Sequence, residues 1–295
     1  MTDVVIFGAS GQLGRELELT QPAACDAAYV TRAEVDIADA EQVTRYLDRA
    51  NPSTIINAAA YTAVDRAEEE PGQAEAANAT GAGNLAAWAA GSGARLIHIS
   101  TDFVFDGSAG EPYKPTDEPQ PLGVYGKTKL EGERVVLSAT AGHVVLRTGW
   151  VYSRHGGNFV KTMLRLMQEK EQLSVVEDQI GTPTWARGLA SVCWAFRDNA
   201  SSSGIYHWSD SGACSWFDFA LAIREEALTL GLIDKSATVI PIPSSEYPTP
   251  AIRPSFSVLD KTDTHRVLGH SGRPWRHALR EMLADMKQCM EVQDT

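Results

Sequence analysis

The chain has 295 residues, of which 43% are hydrophobic and 22% are charged, a composition typical of a folded globular protein. Its 26 Lys and Arg residues against 38 Asp and Glu residues give a net charge of −12. Such an acidic surface repels phosphate backbones and anionic lipid headgroups, so we expect no nucleic-acid and no membrane partner. The apolar runs are also short, which excludes a stretch of the roughly 20 apolar residues that a membrane-spanning helix needs.

In the first half of the chain, short β-rich apolar segments alternate with longer amphipathic ones. The pattern predicts strands at 4–7, 28–30, 54–57, 96–100 and 144–147, and helices at 12–19, 39–49, 73–90 and from about 124. An alternation of this kind is typical of an α/β protein with a Rossmann-type, doubly wound parallel sheet that helices cover on both faces.

Beyond residue 150 the pattern is less regular, and Gly, Pro and Trp are more frequent. We therefore expect a Rossmann domain over residues 1–150 and a smaller, mixed C-terminal region over 151–295 that mainly binds the substrate. The segment 204–208 is an exception, because its β-rich sequence fits a strand that returns to the main sheet.

Four cysteines are spread along the chain without a Cys-x-x-Cys pair or a histidine at metal-ligand spacing. This pattern indicates reduced thiols rather than disulfides or a zinc site. The first residues lead directly into an apolar segment without a basic leader, so we expect a cytoplasmic protein.

Three glycines, Gly8, Gly11 and Gly14, lie at G-x-x-G-x-x-G spacing between the first predicted strand and helix. Such a turn lets the backbone approach a diphosphate, whose charge meets free amide groups at the helix N-terminus. Glycines between a strand and a helix also serve tight packing alone. Their position after the first strand nevertheless favours a dinucleotide site.

The end of the second predicted strand bears on the choice of dinucleotide. Arg32 suits the 2′-phosphate of NADPH, because a guanidinium binds phosphate oxygens well. Glu34 or Asp36 suits a free ribose or the adenine amine instead. The sequence favours NADPH and leaves NADH open.

Tyr125 and Lys129 are four residues apart on a predicted helix, so both side chains project from the same face. A phenol has a pKa near 10, and lowering it by three units requires about 4 kcal/mol of differential interaction. We expect the Lys129 ammonium to supply this in a partly dry cleft. Thr101 ends a strand at the carboxyl edge of the sheet, where its hydroxyl can hold a carbonyl oxygen while Tyr125 donates a proton.

Together these motifs resemble a known family. The glycine turn, NAAAYTAVD at 57–65, STDFVFDG at 100–107 and YGKTK at 125–129 are similar to the extended short-chain dehydrogenases/reductases and, within them, to the dTDP-4-dehydrorhamnose reductase family. The similarity runs to RP at 253–254 and SVLD at 257–260. It implies reduction by NAD(P)H of the 4-keto group of dTDP-4-dehydrorhamnose to give dTDP-L-rhamnose.

The resemblance also implies individual roles. Tyr125 is the proton donor, Thr101 polarises the keto oxygen, and Lys129 also holds the nicotinamide ribose. Further dinucleotide contacts are implied for Gln12, Leu13, Asp36, Ile37, Ala58, Ala59, Ala60 and Tyr61. Sugar-nucleotide contacts are implied for Thr62, Val64, Thr101, Asp102, Phe103, Trp150 and Arg253. The flat ring of Trp150 suits contact with one face of a sugar, and the planar guanidinium of Arg253 suits the diphosphate of the sugar nucleotide.

Other functions stay open at this point. Sugar-nucleotide dehydratases carry Thr-Asp-Glu, so Phe103 in place of the glutamate argues against dehydration but not against epimerisation. A non-catalytic, NADP-binding regulatory subunit can retain the same residues. Some relatives dimerise through magnesium held by glutamates. Glu16 matches one of these, but Arg187 stands where another would lie, so we predict no metal and either a monomer or a homodimer.

Overall fold

The computed structural model describes residues 2–269 and 271–293, which form α-helices around a central parallel sheet. The strands are β1 Val4–Phe7, β2 Ala27–Val30, β3 Thr54–Asn57, β4 Arg95–Thr101, β5 Val144–Thr148, β6 Val151–Tyr152, β7 Gln172–Val176, β8 Ile180–Gly181, β9 Thr184–Trp185, β10 Gly204–His207, β11 Cys214–Ser215 and β12 Thr238–Ile242. The helices are α1 Gln12–Leu19, α2 Ala40–Ala50, α3 Val64–Glu69, α4 Pro71–Glu75, α5 Gly81–Ser92, α6 Val124–Ala139, α7 Phe159–Glu169, α8 Ala186–Asp198, α9 Trp216–Leu230, α10 Thr262–Leu268 and α11 Trp275–Gln293.

The central sheet has six parallel strands in the order β10-β5-β4-β3-β1-β2. From β1 the chain runs outwards to β2 and then returns to β3 on the other side of β1. Open α/β sheets bind ligands outside the carboxyl ends of the strands at such a switch point. The predicted α/β fold with its Rossmann-type sheet is confirmed, and 204–207 returns to the sheet beside β5.

The four inner strands of this sheet, β1, β3, β4 and β5, are largely buried on both faces, as their apolar runs predict. Val4 and Ile6 of β1 pack with α1 and α8 on one face, and Val5 and Phe7 pack with α2 and α5 on the other. Successive strand residues point to opposite faces, so each face gains a hydrophobic layer from the same four residues.

A third hydrophobic core lies in the C-terminal part of the chain. It is built from one face each of α7, α9 and α11, together with β7, which pairs with β12. The division into residues 1–150 and 151–295 stays a prediction, and β10, which follows residue 150, belongs to the main sheet. No helix among the described residues is long and apolar enough to cross a bilayer.

The predicted single helix over 73–90 is wrong in detail. The structure has α4, a π-helical turn at Ala76–Thr80 and then α5, which ends two residues later at Ser92. The Asn78 side chain in this turn accepts from the Tyr61 amide at 2.8 Å and donates to the Thr128 hydroxyl at 3.1 Å. The C-cap of the helix is Gly93, which takes the left-handed conformation with φ +78° that is common for glycine at this position.

Candidate active site

A cavity of about 360 Å³ opens at the carboxyl ends of β1 and β3, at the switch point of the sheet. Its walls come from the glycine turn, the end of β2 and the segment after β3. They include Gly8, Gly11, Arg32, Asp36, Ile37, Ala58, Ala59, Ala60, Tyr61 and Thr62 of the predicted residues, and also Phe7, Ser10, Val35, Ala63 and Ala77. The topology therefore brings three separate sequence motifs to one cleft.

The glycine turn is shaped by close approaches of the backbone. Gly8 has φ +86°, and a Cβ there would lie 2.6 Å from the carbonyl carbon of Ala58. A Cβ on Gly14 would lie 2.3 Å from the Gly8 oxygen, so Gly14 lets α1 pack against the turn rather than lining the cavity. No side chain caps the N-terminus of α1, so its first amide groups suit a diphosphate.

The three charged residues after β2 have different surroundings. Arg32 lines the cavity, and its guanidinium lies 3.4 Å from Asp36 with 78% of the side chain exposed. Asp36 also lines the cavity and accepts from the Ala38 amide at 3.0 Å. Glu34 instead accepts from the Thr31 amide and hydroxyl, and these hydrogen bonds lower its pKa. Of the two acidic candidates, only Asp36 faces the cavity.

A second cavity of about 530 Å³ continues from the first, since both are lined by Ser10, Gly11, Ala58, Ala60 and Thr62. It contains Thr101, Tyr125 and Lys129, the residues expected to take part in the reaction. Its predicted lining residues include Gln12, Leu13, Thr62, Val64, Thr101, Asp102, Phe103, Tyr125, Lys129 and Trp150. A molecule in the first cavity can therefore reach the side chains around Tyr125.

Tyr125 lies in the first turn of α6, at the wall of the second cavity. Its ring packs edge-on against Phe103 with 5.6 Å between the ring centres. Burial raises the pKa of Tyr125 to about 12, and the Asp102 carboxylate adds to the rise. Without a bound ligand, the phenol keeps its proton near neutral pH.

Lys129 is almost completely buried one turn further along α6. Its Nζ donates to the Ile99 carbonyl oxygen at 2.6 Å and lies 3.5 Å from His98 Nε2. Burial lowers the pKa of Lys129 to about 8, although the Glu133 charge opposes this. The expected lowering of the Tyr125 pKa by Lys129 is absent here, because burial raises that pKa and the ammonium is directed at the Ile99 carbonyl.

Thr101 and Asp102 form a short hydrogen-bonded chain at the end of β4. The Thr101 hydroxyl accepts from the Phe103 amide at 3.2 Å and donates to Asp102 Oδ1 at 3.1 Å. Burial raises the pKa of Asp102 to about 6, despite opposing hydrogen bonds from the Ser257 and Thr101 hydroxyls. A substrate oxygen at Thr101 would compete with Asp102 for the hydroxyl proton.

Arg253 is the one predicted substrate residue outside the described lining of both cavities. Its guanidinium forms a two-pronged ion pair with Asp65, with distances of 3.0 and 2.7 Å. It also donates to the Ala251 carbonyl oxygen at 3.2 Å. These bonds hold the guanidinium beside α3, close to Val64 of the second cavity.

Several lining residues had no recognisable signal in the sequence. The second cavity also includes Ser10, Thr148, Gly149, Val151, Gly156, Gly157, Asn158 and Leu189. Asn158 caps α7 and donates to Gln12 Oε1 at 2.8 Å, which ties the loop before α7 to the glycine turn. A Gly-Gly-Asn segment indicates a loop before a helix, but nothing local shows that the loop reaches the cleft.

Glu16 and Arg187, the residues considered for a metal, form an ion pair instead. Arg187 Nε donates to Glu16 Oε2 at 2.8 Å, and its Nη2 donates to Asp285 at the same distance. No group of three or more potential metal ligands occurs among the described residues. The absence of a metal stays a prediction.

Fold and site together define an α/β protein with a Rossmann-type sheet and a ligand cleft at its switch point. Residues 1–288 match the family described as the RmlD substrate binding domain, and the chain belongs to that family. It is 40% identical over 291 residues to a dTDP-4-dehydrorhamnose reductase of Aggregatibacter actinomycetemcomitans, covering 96% of this chain and 99% of that one.

Solved structures give the same result. A dTDP-4-dehydrorhamnose reductase from Clostridium acetobutylicum superposes with a TM-score of 0.90 at 38% identity, covering 97% of this chain and 100% of the other. The Bacillus anthracis dTDP-4-dehydrorhamnose reductase, solved in complex with NADP, has a TM-score of 0.90 at 36% identity and the same coverage. The resemblance inferred from the motifs is confirmed at the level of the family.

Proposed function

We propose that this protein is an NADPH-dependent sugar-nucleotide reductase that converts dTDP-4-dehydrorhamnose to dTDP-L-rhamnose. The observation that carries the proposal is the placement of Thr101, Tyr125 and Lys129 around one cavity that is continuous with the dinucleotide cleft. Near-full-length similarity to reductases of this specificity supports it. The family explains the substrate class, and the side chains explain the proton transfer.

The dinucleotide fits the first cavity through its charge and its shape. The uncapped start of α1 and the close turn at Gly8 suit the diphosphate, and Arg32 suits a 2′-phosphate. The Bacillus anthracis relative was solved with NADP, which supports NADPH here, with NADH as a weaker alternative. When bound, the cofactor supplies the hydride that the 4-keto carbon accepts.

The proton comes from Tyr125. A phenol whose pKa is raised to about 12 stays protonated until the keto oxygen becomes strongly basic, and it then donates to that oxygen. Lys129, with a pKa of about 8, is mostly an ammonium at neutral pH, and we propose that it turns from the Ile99 carbonyl oxygen to stabilise the phenolate that remains. The net change is one hydride added to carbon and one proton added to oxygen, and solvent returns the proton to Tyr125.

Thr101 orients the oxygen that is protonated. Its hydroxyl has a single proton, which it donates to Asp102 in this structure. We propose that the keto oxygen replaces Asp102 as the acceptor when the substrate binds. The amide of Phe103 keeps the Thr101 oxygen in place during this exchange.

The test is NADPH oxidation by the purified protein with dTDP-4-dehydrorhamnose. The Tyr125→Phe variant removes the acid and should lower kcat by about 10²- to 10⁴-fold. Tyr247→Phe is the matched control, since Tyr247 is 59% exposed and should give wild-type rates. Wild-type protein that leaves NADPH unconsumed would contradict the proposal, and tightly held NAD would indicate epimerisation instead. Rates in Tyr125→Phe equal to wild type would remove Tyr125 as the donor.

The remaining expectations concern the setting of the reaction. We propose a cytoplasmic enzyme acting on a sugar nucleotide, consistent with the four free cysteines, three of which are buried. A monomer or a homodimer remains the prediction for its assembly. Sedimentation of the purified protein measures the mass of the assembly and so distinguishes the two.

A further inference from the structure

Trp150 has an unusual backbone conformation at the edge of the substrate cavity. Its φ is +50°, a left-handed value that only Trp150 and Asn51 adopt among the described non-glycine residues. Asn51 is the C-cap of α2, a position where the left-handed conformation is common. Trp150 has no such role, and a residue with a bulky side chain is strained in this conformation. Surrounding contacts must therefore hold Trp150 in place.

The first of these contacts is with Trp216, the first residue of α9. The two indole rings stack with centroids 3.5 Å apart and planes within 4° of each other. Trp216 also packs on Phe159, with 4.6 Å between ring centres, and so belongs to the C-terminal hydrophobic core. One face of Trp150 is thus supported by a ring that is not part of the cavity wall in this structure.

The second contact is with Gly181 at the end of β8. A Cβ at Gly181 would lie 2.5 Å from Cε2, 2.6 Å from Nε1 and 2.8 Å from Cζ2 of Trp150. Cε2 lies between Nε1 and Cζ2 and is bonded to both, so an atom approaching in the ring plane would come closer to one of these two than to Cε2. Because Cε2 is the nearest of the three, the added Cβ would lie above the face of the ring. No side chain larger than glycine therefore fits at residue 181 without moving the indole. In addition, the Thr184 amide donates to the Trp150 carbonyl oxygen at 3.1 Å.

We propose that Trp216 and Gly181 are positioning residues that fix Trp150 as a rigid wall of the sugar-nucleotide site and thereby set which sugars fit. This inference rests on the proposed function for its ligand. Three parts of the chain form this wall, and Trp150 takes a strained backbone conformation within it. If any orientation of the indole allowed the substrate to bind, neither the stack on Trp216 nor a glycine at residue 181 would be needed.

Trp216→Ala removes the support on one side. We expect the KM for dTDP-4-dehydrorhamnose to rise about tenfold, while kcat and the KM for NADPH change less than about twofold, because only uniform substrate binding is lost. Trp216→Phe retains an aromatic face and should restore most of the wild-type KM. Trp275→Ala is the matched control, since Trp275 packs on Phe219 in the same core.

Gly181→Ala displaces the Trp150 indole and should raise the same KM. Gly142→Ala is its control, because a Cβ at Gly142 meets nothing within 4 Å. Gly181→Ala decides the question if Trp216→Ala fails to fold. A wild-type KM in Gly181→Ala, or an equal rise in KM in Trp275→Ala, overturns the proposal.

A spectroscopic signature separates this inference from the proposed function. Near-ultraviolet circular dichroism of Trp150→Phe, Trp216→Phe and the double variant should be non-additive, because stacked indoles share one coupled signal. Additive spectra overturn the positioning role whatever the activity. Non-additive spectra in a protein that does not turn over dTDP-4-dehydrorhamnose would support the stacking and reject only the proposed function.

Discussion

Arg32 and Asp36 approach each other at the mouth of the dinucleotide cavity, with 3.4 Å between the guanidinium and the carboxylate. The pair is exposed, so its two charges are well solvated and their mutual attraction is small. Arg32 can therefore turn to a phosphate at little cost. The same freedom means that Asp36 alone does not prevent binding of a 2′-phosphate.

The choice of dinucleotide is tested at Arg32. Arg32→Met should raise the KM for NADPH about tenfold and leave the KM for NADH nearly unchanged, because only NADPH carries the phosphate that the guanidinium binds. Steady-state kinetics with both cofactors measures this. Arg134→Met, which removes a charge that is 64% exposed on α6, serves as the control. Equal changes in the KM for NADPH and the KM for NADH would show that Arg32 does not bind the 2′-phosphate.

Helix α6 carries both Tyr125 and Lys129, and contacts from outside the helix fix its position. Glu68 of α3 accepts from the Val124 amide at 2.8 Å at the start of the helix. Two turns further on, Glu133 accepts from the Arg147 guanidinium of β5 at 2.9 and 2.6 Å, with both side chains 1% exposed. The helix is thus fixed to the sheet near the residues that line the cavity.

Breaking the buried ion pair between Glu133 and Arg147 should strongly lower the free energy of unfolding. Glu133→Gln leaves the Arg147 charge buried without its counterion, which costs about 3 kcal/mol or more in the free energy of unfolding. Chemical denaturation measures the loss. Glu169→Gln on α7 breaks an ion pair with Arg165 whose side chains are about half exposed, and should cost less than about 1 kcal/mol. Similar losses in the two variants would contradict the role assigned to burial.

On the scale of the whole molecule, several ionisable groups are buried and resist charging. Burial raises the pKa of Asp210 to about 7, although the Trp185 amide donates to its carboxylate at 2.9 Å and opposes the rise. Burial and the Arg147 charge lower the pKa of His207 to about 3. The two residues therefore have opposite effects on the pH dependence of stability.

For Asp210 the folded state holds the proton more tightly than the unfolded state does. Its ionisation therefore costs stability as the pH rises from about 4 to about 7, and the full cost applies above that range. Asp210→Asn cannot ionise, so its stability relative to wild type should increase by roughly 2 kcal/mol between pH 5 and pH 8. Urea denaturation at the two pH values measures the difference. A constant difference between the variants would show that Asp210 titrates normally.

His207 gives the contrary slope and must be separated from this effect. Folded His207 stays neutral down to a pH of about 3, whereas the unfolded chain takes up the proton near pH 6.5, so stability falls as the pH drops from about 6.5 to about 3. Comparing Asp210→Asn with wild type cancels the His207 contribution, since both proteins retain this histidine. The remaining slope belongs to Asp210.

Local sequence determined much of this protein. Apolar runs at 4–7 and 54–57 specified buried parallel strands, and the glycine spacing after β1 specified a turn that suits a diphosphate. Tyr125 and Lys129 share a helix face because four residues complete about one turn. The apolar runs, the glycine spacing and the helix period are all relations between near neighbours in the chain, which a sequence pattern records directly.

Tertiary structure decided what the pattern could not. The pKa of Tyr125 depends on burial and on Asp102, and the direction of Lys129 depends on the carbonyl of Ile99 in a different element. The stack of Trp150 on Trp216 joins residues 66 positions apart in the chain. Desolvation and side-chain contact both depend on three-dimensional distance, so they exist only once the helices and strands have packed together.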